Sequence, residues 1–190
     1  MDQAAKVAAF QKLHAEPGCF IIPNPWDLGS ARMLEAMGFK ALATSSAGYN
    51  LSRGQVDGDA TVEDHFAHFR ELCAGVDVPI NADFENAYAD TAEGVAVNIR
   101  LAAGTGLAGG SLEDYDGTAI YDMAEAVDRL AAAVEAARAV NPPFVLTARA
   151  ENLIRGNPDL DDTIKRLQAY QEAGADVLYA PGLKTADEVR

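Results

Sequence analysis

Short apolar runs alternate with longer stretches whose apolar residues recur at helical spacing, and the alternation repeats along most of the chain. Residues 19–26 (CFIIPNPW) form a continuous apolar run closed by prolines, and residues 28–37 follow at helical spacing. Gly38 ends that helix, and residues 41–46 (ALATSS) are the next predicted strand. Residues 61–74 predict a helix, with Thr61 as N-cap and Glu63 and Asp64 in its first turn. Further strands are predicted at 79–84 (PINADF), 109–114 (GGSLED), 144–150 (FVLTARA) and 177–181, separated by helices at 91–103, 123–140 and 160–173. Residues 1–18 carry an amphipathic helix pattern ahead of the first strand. Strand starts at 19, 41, 79, 109, 144 and 177 are 22 to 38 residues apart, the spacing of parallel βαβ units.

Doubly wound sheets and (β/α)₈ barrels share this local pattern, and the polar residues decide between them. Ser45 and Ser46, Asp83, Glu113 and Arg149 each fall at the C-terminal end of a different predicted strand. Sites gathered from many successive strand ends are the barrel habit, whereas an open sheet collects its ligand groups at one switch point. The expected fold is therefore an α/β, (β/α)₈ TIM-barrel type, with about six β/α units present and residues 1–190 forming one domain. Residues 104–109 (GTGLAG) match the dinucleotide fingerprint GxGxxG literally. That fingerprint needs a strand before the glycines and a helix after them; here the order is reversed, so these glycines read as a helix C-cap and a tight turn.

Composition narrows the partners. Hydrophobic residues make up 49% of the 190 and charged residues 23%, ordinary globular values with enough chain to bury a core without staples. The net charge of −14 argues against nucleic acid and anionic membrane surfaces, which call for clustered Lys and Arg. No apolar run approaches the roughly 18 residues that span a bilayer, and the N-terminus lacks the apolar block of a signal peptide. Cys19 and Cys73 form no CxxC, so neither a disulfide framework nor a thiolate metal site is indicated. A cytoplasmic protein is expected.

From residue 18 onward the motifs, taken in order, resemble the isocitrate lyase / phosphoenolpyruvate mutase superfamily. They are residues 18–48 (GCFIIPNPWDLGSARMLEAMGFKALATSSAG), 54–59 (GQVDGD), 79–88 (PINADFENAY), 109–114 (GGSLED), 147–152 (TARAEN) and 172–182 (EAGADVLYAPG). Single motifs are weak; the ordered set is specific. The resemblance implies a (β/α)₈ barrel that binds Mg²⁺, with Mn²⁺ as a substitute, and makes or breaks C–C or C–P bonds beside a 2-oxo acid through a pyruvate-like enolate held on the metal. It also implies a homo-oligomer. In that chemistry a hard divalent cation acts as Lewis acid, taking few direct carboxylates and keeping several waters. Asp83, Glu85 and Glu113 are the expected metal set, with Asp57 reaching in from the loop after the second strand. Arg149 suits bidentate binding of a substrate carboxylate, and the turn Ser45, Ser46, Ala47, Gly48 can offer backbone N–H groups to it.

Departures from the family pattern shape the reading as much. Where the family's metal motif reads Asp-x-Asp, the first position here is Asn81, which shifts the burden to Asp83, Glu85 and Glu113. The Lys-x-Cys-Gly-His loop of isocitrate and methylisocitrate lyases corresponds to residues 115–122 (YDGTAIYD), which lack Cys, Lys and His, as they lack the mutase's Lys and Asn. Pro181 and Gly182 stand where the lyases place a Glu. Tyr49 and Tyr115 are acid candidates by chemistry alone. Complete barrels of this type run to about 250 residues, so this chain is expected to be a fragment, or to be completed by another chain.

Other polar residues have simpler readings. His65 and His68, three apart on one helix face, are read as a solvated pair rather than a metal site. Trp26 is read as core, Asp27 as a helix N-cap, Arg53 as a solvated loop residue, and residues 159–162 as favourable N-terminal helix charge. The leading expectation is a Mg²⁺-dependent carbon–carbon lyase or decarboxylase acting on a small 2-oxo or 2-hydroxy polycarboxylate. Its rivals are C–P chemistry of the phosphonomutase or phosphonopyruvate-hydrolase kind, and a non-catalytic remnant of the barrel.

Overall fold

The structure, a computed structural model, describes residues 1–190. In chain order the elements are α1 (Gln3–Ala15), α2 (Leu28–Ala36), β1 (Leu42–Ala43), α3 (Ser46–Ser52), α4 (Val62–Gly75), β2 (Ile80–Asp83), α5 (Ala92–Ala103), β3 (Gly109–Glu113), α6 (Met123–Ala139), β4 (Val145–Arg149), α7 (Leu160–Glu172), β5 (Val177–Tyr179) and α8 (Ala186–Val189). All five strands are parallel and pair in sequence order, β1-β2-β3-β4-β5. Each helix thus returns the chain to the next position along a single curling sheet, the wall of a partial TIM-type barrel.

Side-chain alternation sorts the strands into two faces. Ile80, Ala82, Leu112, Leu146 and Ala148 join residues of α4 to α7 in a core cluster of 27 buried residues. A smaller cluster of Val7, Phe10, Ala41, Ala108 and Val145 seats α1 across the N-terminal end of the strands. Lys6 of α1 is buried there, donating through Nζ to the carbonyls of Cys73 (2.7 Å) and Val76 (2.6 Å), and Gln3 donates to Ala103 and Leu107. The opposite, C-terminal end of the sheet stays open. Two glycines of the GxGxxG look-alike have structural duties: Gly106 turns at φ +101°, and a Cβ on Gly109 would meet the Val145 carbonyl at 2.4 Å.

Two expectations about local structure are corrected. Residues 19–25 run beside β1 without forming a strand, because Pro23 and Pro25 lack the N–H that a ladder requires. A single backbone bond, from Ala43 N–H to the Pro23 carbonyl (3.1 Å), joins them to the sheet. The predicted strand 41–46 shrinks to two residues because Ser45 turns the chain into α3, its hydroxyl accepting from Gly48 N–H (3.1 Å). No helix is long and apolar enough to cross a membrane.

Candidate functional site

The open end of the sheet holds a cleft of about 740 Å³. Every residue expected at the site lines it: Ser45, Ser46, Ala47, Asp57, Asp83, Glu85, Glu113 and Arg149, except Gly48, which lies just behind the turn. Pairing explains the convergence. Glu113 and Arg149 are the last residues of neighbouring strands and stand in register, and Asp83 ends the strand before them.

Asp83 accepts from both the backbone N–H and the hydroxyl of Ser46 through Oδ2, each at 3.0 Å. Its Oδ1 lies 3.3 Å from Nη1 of Arg149, and the same Nη1 lies 3.1 Å from Glu113 Oε1. Glu113 is 6% exposed, and burial pushes its carboxyl up to about 8, against the pull of Arg149 and with Asp83, Glu151 and Glu85 adding to the rise. Glu85 is pushed up to about 7 by burial first, then by Asp83 and Asp57. Arg149 is held above its ordinary value: burial opposes its charge, but Glu113, Asp83 and Glu151 outweigh it.

Glu85 sits on a strained loop. Glu85, Ala87 and Tyr88 adopt φ of +47°, +62° and +52°, a region that side chains other than glycine enter only under constraint. The constraint is visible: Glu113 N–H donates to the Glu85 carbonyl (2.7 Å), and buried Arg129 donates to the carbonyls of Asn86 (3.1 Å) and Ala89 (2.6 Å). Strain stored this way fixes the direction of the Glu85 carboxylate.

The donor set fits a divalent cation. Glu85 Oε1 and Asn81 Oδ1 are buried acceptors with no hydrogen-bond partner, and both residues line the cleft. Four carboxylates (Asp57, Asp83, Glu85 and Glu113) face the same space as Arg149 and Arg155. The side chains do not close into a three-ligand cage, since Arg149 lies between Asp83 and Glu113. Mg²⁺ suits such a site, because it keeps several waters and uses few direct carboxylates.

The rest of the expected site divides. Ser46 N–H is committed to Asp83 and Gly48 N–H to Ser45, so the Ser45 and Ala47 N–H groups of that turn are left for a ligand. Tyr115 lines the cleft, its hydroxyl donating to the Gly117 carbonyl (2.8 Å). Tyr49 does not line it: the ring stacks on His68 with centroids 4.1 Å apart, and its hydroxyl accepts from Arg53 Nη1 (2.9 Å). His65 and His68 are not solvated as expected. They are 1% and 4% exposed beneath Tyr49 and Tyr88, and burial lowers both to about 4, so they are neutral at neutral pH. Trp26, expected in the core, is half exposed, whereas Asp27 caps α2 as read.

The sequence leaves open a pairing of Arg149 with Glu151 or Glu113, and both pairs form; sequence reasoning missed Arg155 and the residues behind Glu151. Glu151, fully buried, accepts from Arg149 Nε (2.5 Å) through Oε1 and from Arg155 Nε (2.9 Å) through Oε2. Its backbone N–H donates to Asp114 Oδ1 (2.8 Å), and Asp114 Oδ2 accepts from Tyr170 (2.6 Å) and Arg166 (2.9 Å) on α7. The four-residue spacing of Glu151 and Arg155 was the available signal; the Asp114 partners, 52 and 56 residues away, left none.

The phosphoenolpyruvate phosphomutase family model matches residues 10–190. The chain belongs to that family, within the isocitrate lyase / phosphoenolpyruvate mutase superfamily. A solved structure from Burkholderia cenocepacia J2315, described provisionally as a lyase/mutase, is 54% identical with a TM-score of 0.96, covering 98% of this chain and 69% of that one. An uncharacterised Mycobacterium tuberculosis protein is 30% identical over 95% of this chain and 68% of its own length. The 2-methylisocitrate lyase of Bacillus subtilis is 28% identical over 100% of this chain and 64% of its own. The chain thus spans about two-thirds of the length of these relatives. The family resemblance expected from the ordered motifs is borne out, and with it an enzyme of the superfamily's lyase type.

Proposed function

We propose that the protein is a Mg²⁺-dependent carbon–carbon lyase or decarboxylase, acting on a small 2-oxo or 2-hydroxy polycarboxylate through a pyruvate-like enolate. The observation that carries this reading is the meeting of Asp83, Glu85, Glu113 and Arg149 at adjoining strand ends in one cleft, with two buried acceptors left unpaired. Asp83, Glu85 and Glu113 would hold the cation, directly or through water, with Asp57 completing its shell from the loop. The cation would supply Lewis-acid stabilisation of the enolate oxygen.

The chain's own residues do the rest. Arg149 presents a guanidinium whose Nη2 no protein acceptor engages, while Glu151 fixes its plane through Nε. It binds the substrate carboxylate next to the reacting carbon, and Ala47 N–H reaches the same carboxylate. Phe10, Phe20 and Ile22 form an apolar floor that limits water beneath the reacting atoms. Tyr115 and Tyr179 are the two tyrosines lining the cleft, and either hydroxyl could deliver a proton.

Incubation with Mg²⁺ and a panel of 2-oxo and 2-hydroxy polycarboxylates, followed by coupled detection of released 2-oxo acid or CO₂, tests the reading. Turnover abolished by EDTA and restored by Mg²⁺ is the expected result; cleavage of phosphonopyruvate alone would replace it with C–P chemistry. Cytoplasmic location and a homo-oligomeric assembly belong to the same proposal, supported by the acidic composition and the family resemblance.

A further inference from the structure

Two arginines, not one, are tied to the buried Glu151. Both use Nε, so both turn their Nη edges away from it, and the two guanidiniums stand within one carboxylate's width and two hydrogen bonds of each other. Arg149 is further engaged by Asp83 and Glu113. Arg155 has no second carboxylate: neither Nη meets a protein acceptor, although its guanidinium carbon lies 4.1 Å from the centroid of the Tyr115 ring. Both Arg155 and Tyr115 line the cleft.

A solvent-facing arginine of a −14 chain has many acidic neighbours to choose from and much rotamer freedom to lose. Arg155, although exposed, is pinned from two sides, by an ion pair to the buried Glu151 carboxylate and by the Tyr115 ring. Glu151 is held in turn, because its backbone N–H donates to Asp114, which Arg166 and Tyr170 fix from α7. A guanidinium held by Nε and lying over an aromatic ring keeps its two Nη groups free of protein acceptors, a fork that can pair with a carboxylate.

Resting on the lyase reading above, we propose that Arg155 binds the distal carboxylate of the substrate and thereby selects a short dicarboxylate over a monocarboxylate. Arg149 takes the carboxylate beside the reacting carbon and Arg155 the one at the far end. A carboxylate rather than a phosphonate is assigned because Arg155 brings one positive charge, already shared with Glu151, and the charge of neighbouring Arg149 is engaged by Asp83, Glu113 and Glu151.

Calorimetric titration in Mg²⁺ tests this with three probes: oxalate, which reaches Arg149 only; malate; and malate 4-amide, nearly isosteric with malate but uncharged at its far end. The wild type is expected to prefer malate to the amide by about tenfold or more, the worth of a hydrogen bond to a charged group. Arg155→Met should bring malate and amide to near parity, and Arg155→Lys should restore part of the preference, while oxalate binds all three forms alike. An intact malate preference in Arg155→Met overturns the proposal. So does phosphonopyruvate binding more tightly than malate with the same dependence on Arg155. Should oxalate bind no form while the malate preference still follows Arg155, the metal–enolate reading fails and the distal site stands. If the wild type binds neither malate nor oxalate, both fall.

Discussion

The two walls of the cleft are built on opposite principles. On the β2–β3 side, Asp83, Glu85 and Glu113 crowd together with too little positive charge, and Glu85 keeps a buried oxygen unpaired. On the β4 side, Arg149, Glu151 and Arg155 form a closed network backed by Asp114, Arg166 and Tyr170. In the proposed reading a cation completes the first wall, whereas the second is already held in place by its own ion pairs. A metal site has to tolerate charge that its ligand later neutralises, whereas an arginine that must meet a carboxylate at a fixed angle has to be held before the substrate arrives.

The largest effect is expected from the point where the walls meet. Arg149→Met leaves Glu113 buried without its cation and Glu151 with Arg155 alone, and loss of one partner of a buried pair costs about 3–5 kcal/mol. Turnover should vanish, and chemical denaturation should show a loss of that size. Glu151→Gln keeps the shape but releases the tie to both arginines; kcat/KM should fall by about 10–100-fold, as for other supports of liganding groups, with a much smaller loss of stability. Steady-state kinetics beside a denaturation curve separates the two.

Asp83→Asn acts on the other wall. It should erase the Mg²⁺-dependent rise in Tm while changing the metal-free Tm little, because the mutation removes repulsion from Glu85 and Glu113 together with the ion pair to Arg149; differential scanning fluorimetry reads both. An unchanged Mg²⁺ response, with activity intact, would place the cation elsewhere.

A further effect, which needs no mutation, is a trend with pH. Glu85 and Glu113 have folded values of about 7 and 8, above the ordinary 4.5 of an unfolded glutamate. The folded state therefore holds protons that the unfolded state has released. Metal-free stability should decline as pH rises from about 4.5 through 8, and Mg²⁺ should stabilise more at pH 8 than at pH 6. Thermal melts across that range, with and without Mg²⁺, check the sign.

How much of this was legible in the sequence follows from what each feature depends on. Asp83, Glu113 and Arg149 were legible because alternating strands and helices put strand-end residues at one rim regardless of packing detail. Residues 19–25 misled because their apolar character was that of a strand while the prolines removed its donors. The helix α3 was hidden within seven residues too few to show a helical period. His65 and His68 were misjudged because their burial comes from Tyr49 and Tyr88, which approach from other elements. Asp114 next to Glu113 looked like part of a motif, and only the fold shows that it faces α7.

The central claim is that the acidic wall and Arg149 together make a site for a metal and an enolate. Thermal unfolding with Mg²⁺ alone, oxalate alone and both together tests it most directly, since oxalate is planar and dianionic like the enolate, and ligands of the native state raise its Tm. A rise with the pair that exceeds the combined effect of each alone is the predicted result. No rise with the pair, in a protein that is folded at the start of the melt, would contradict it.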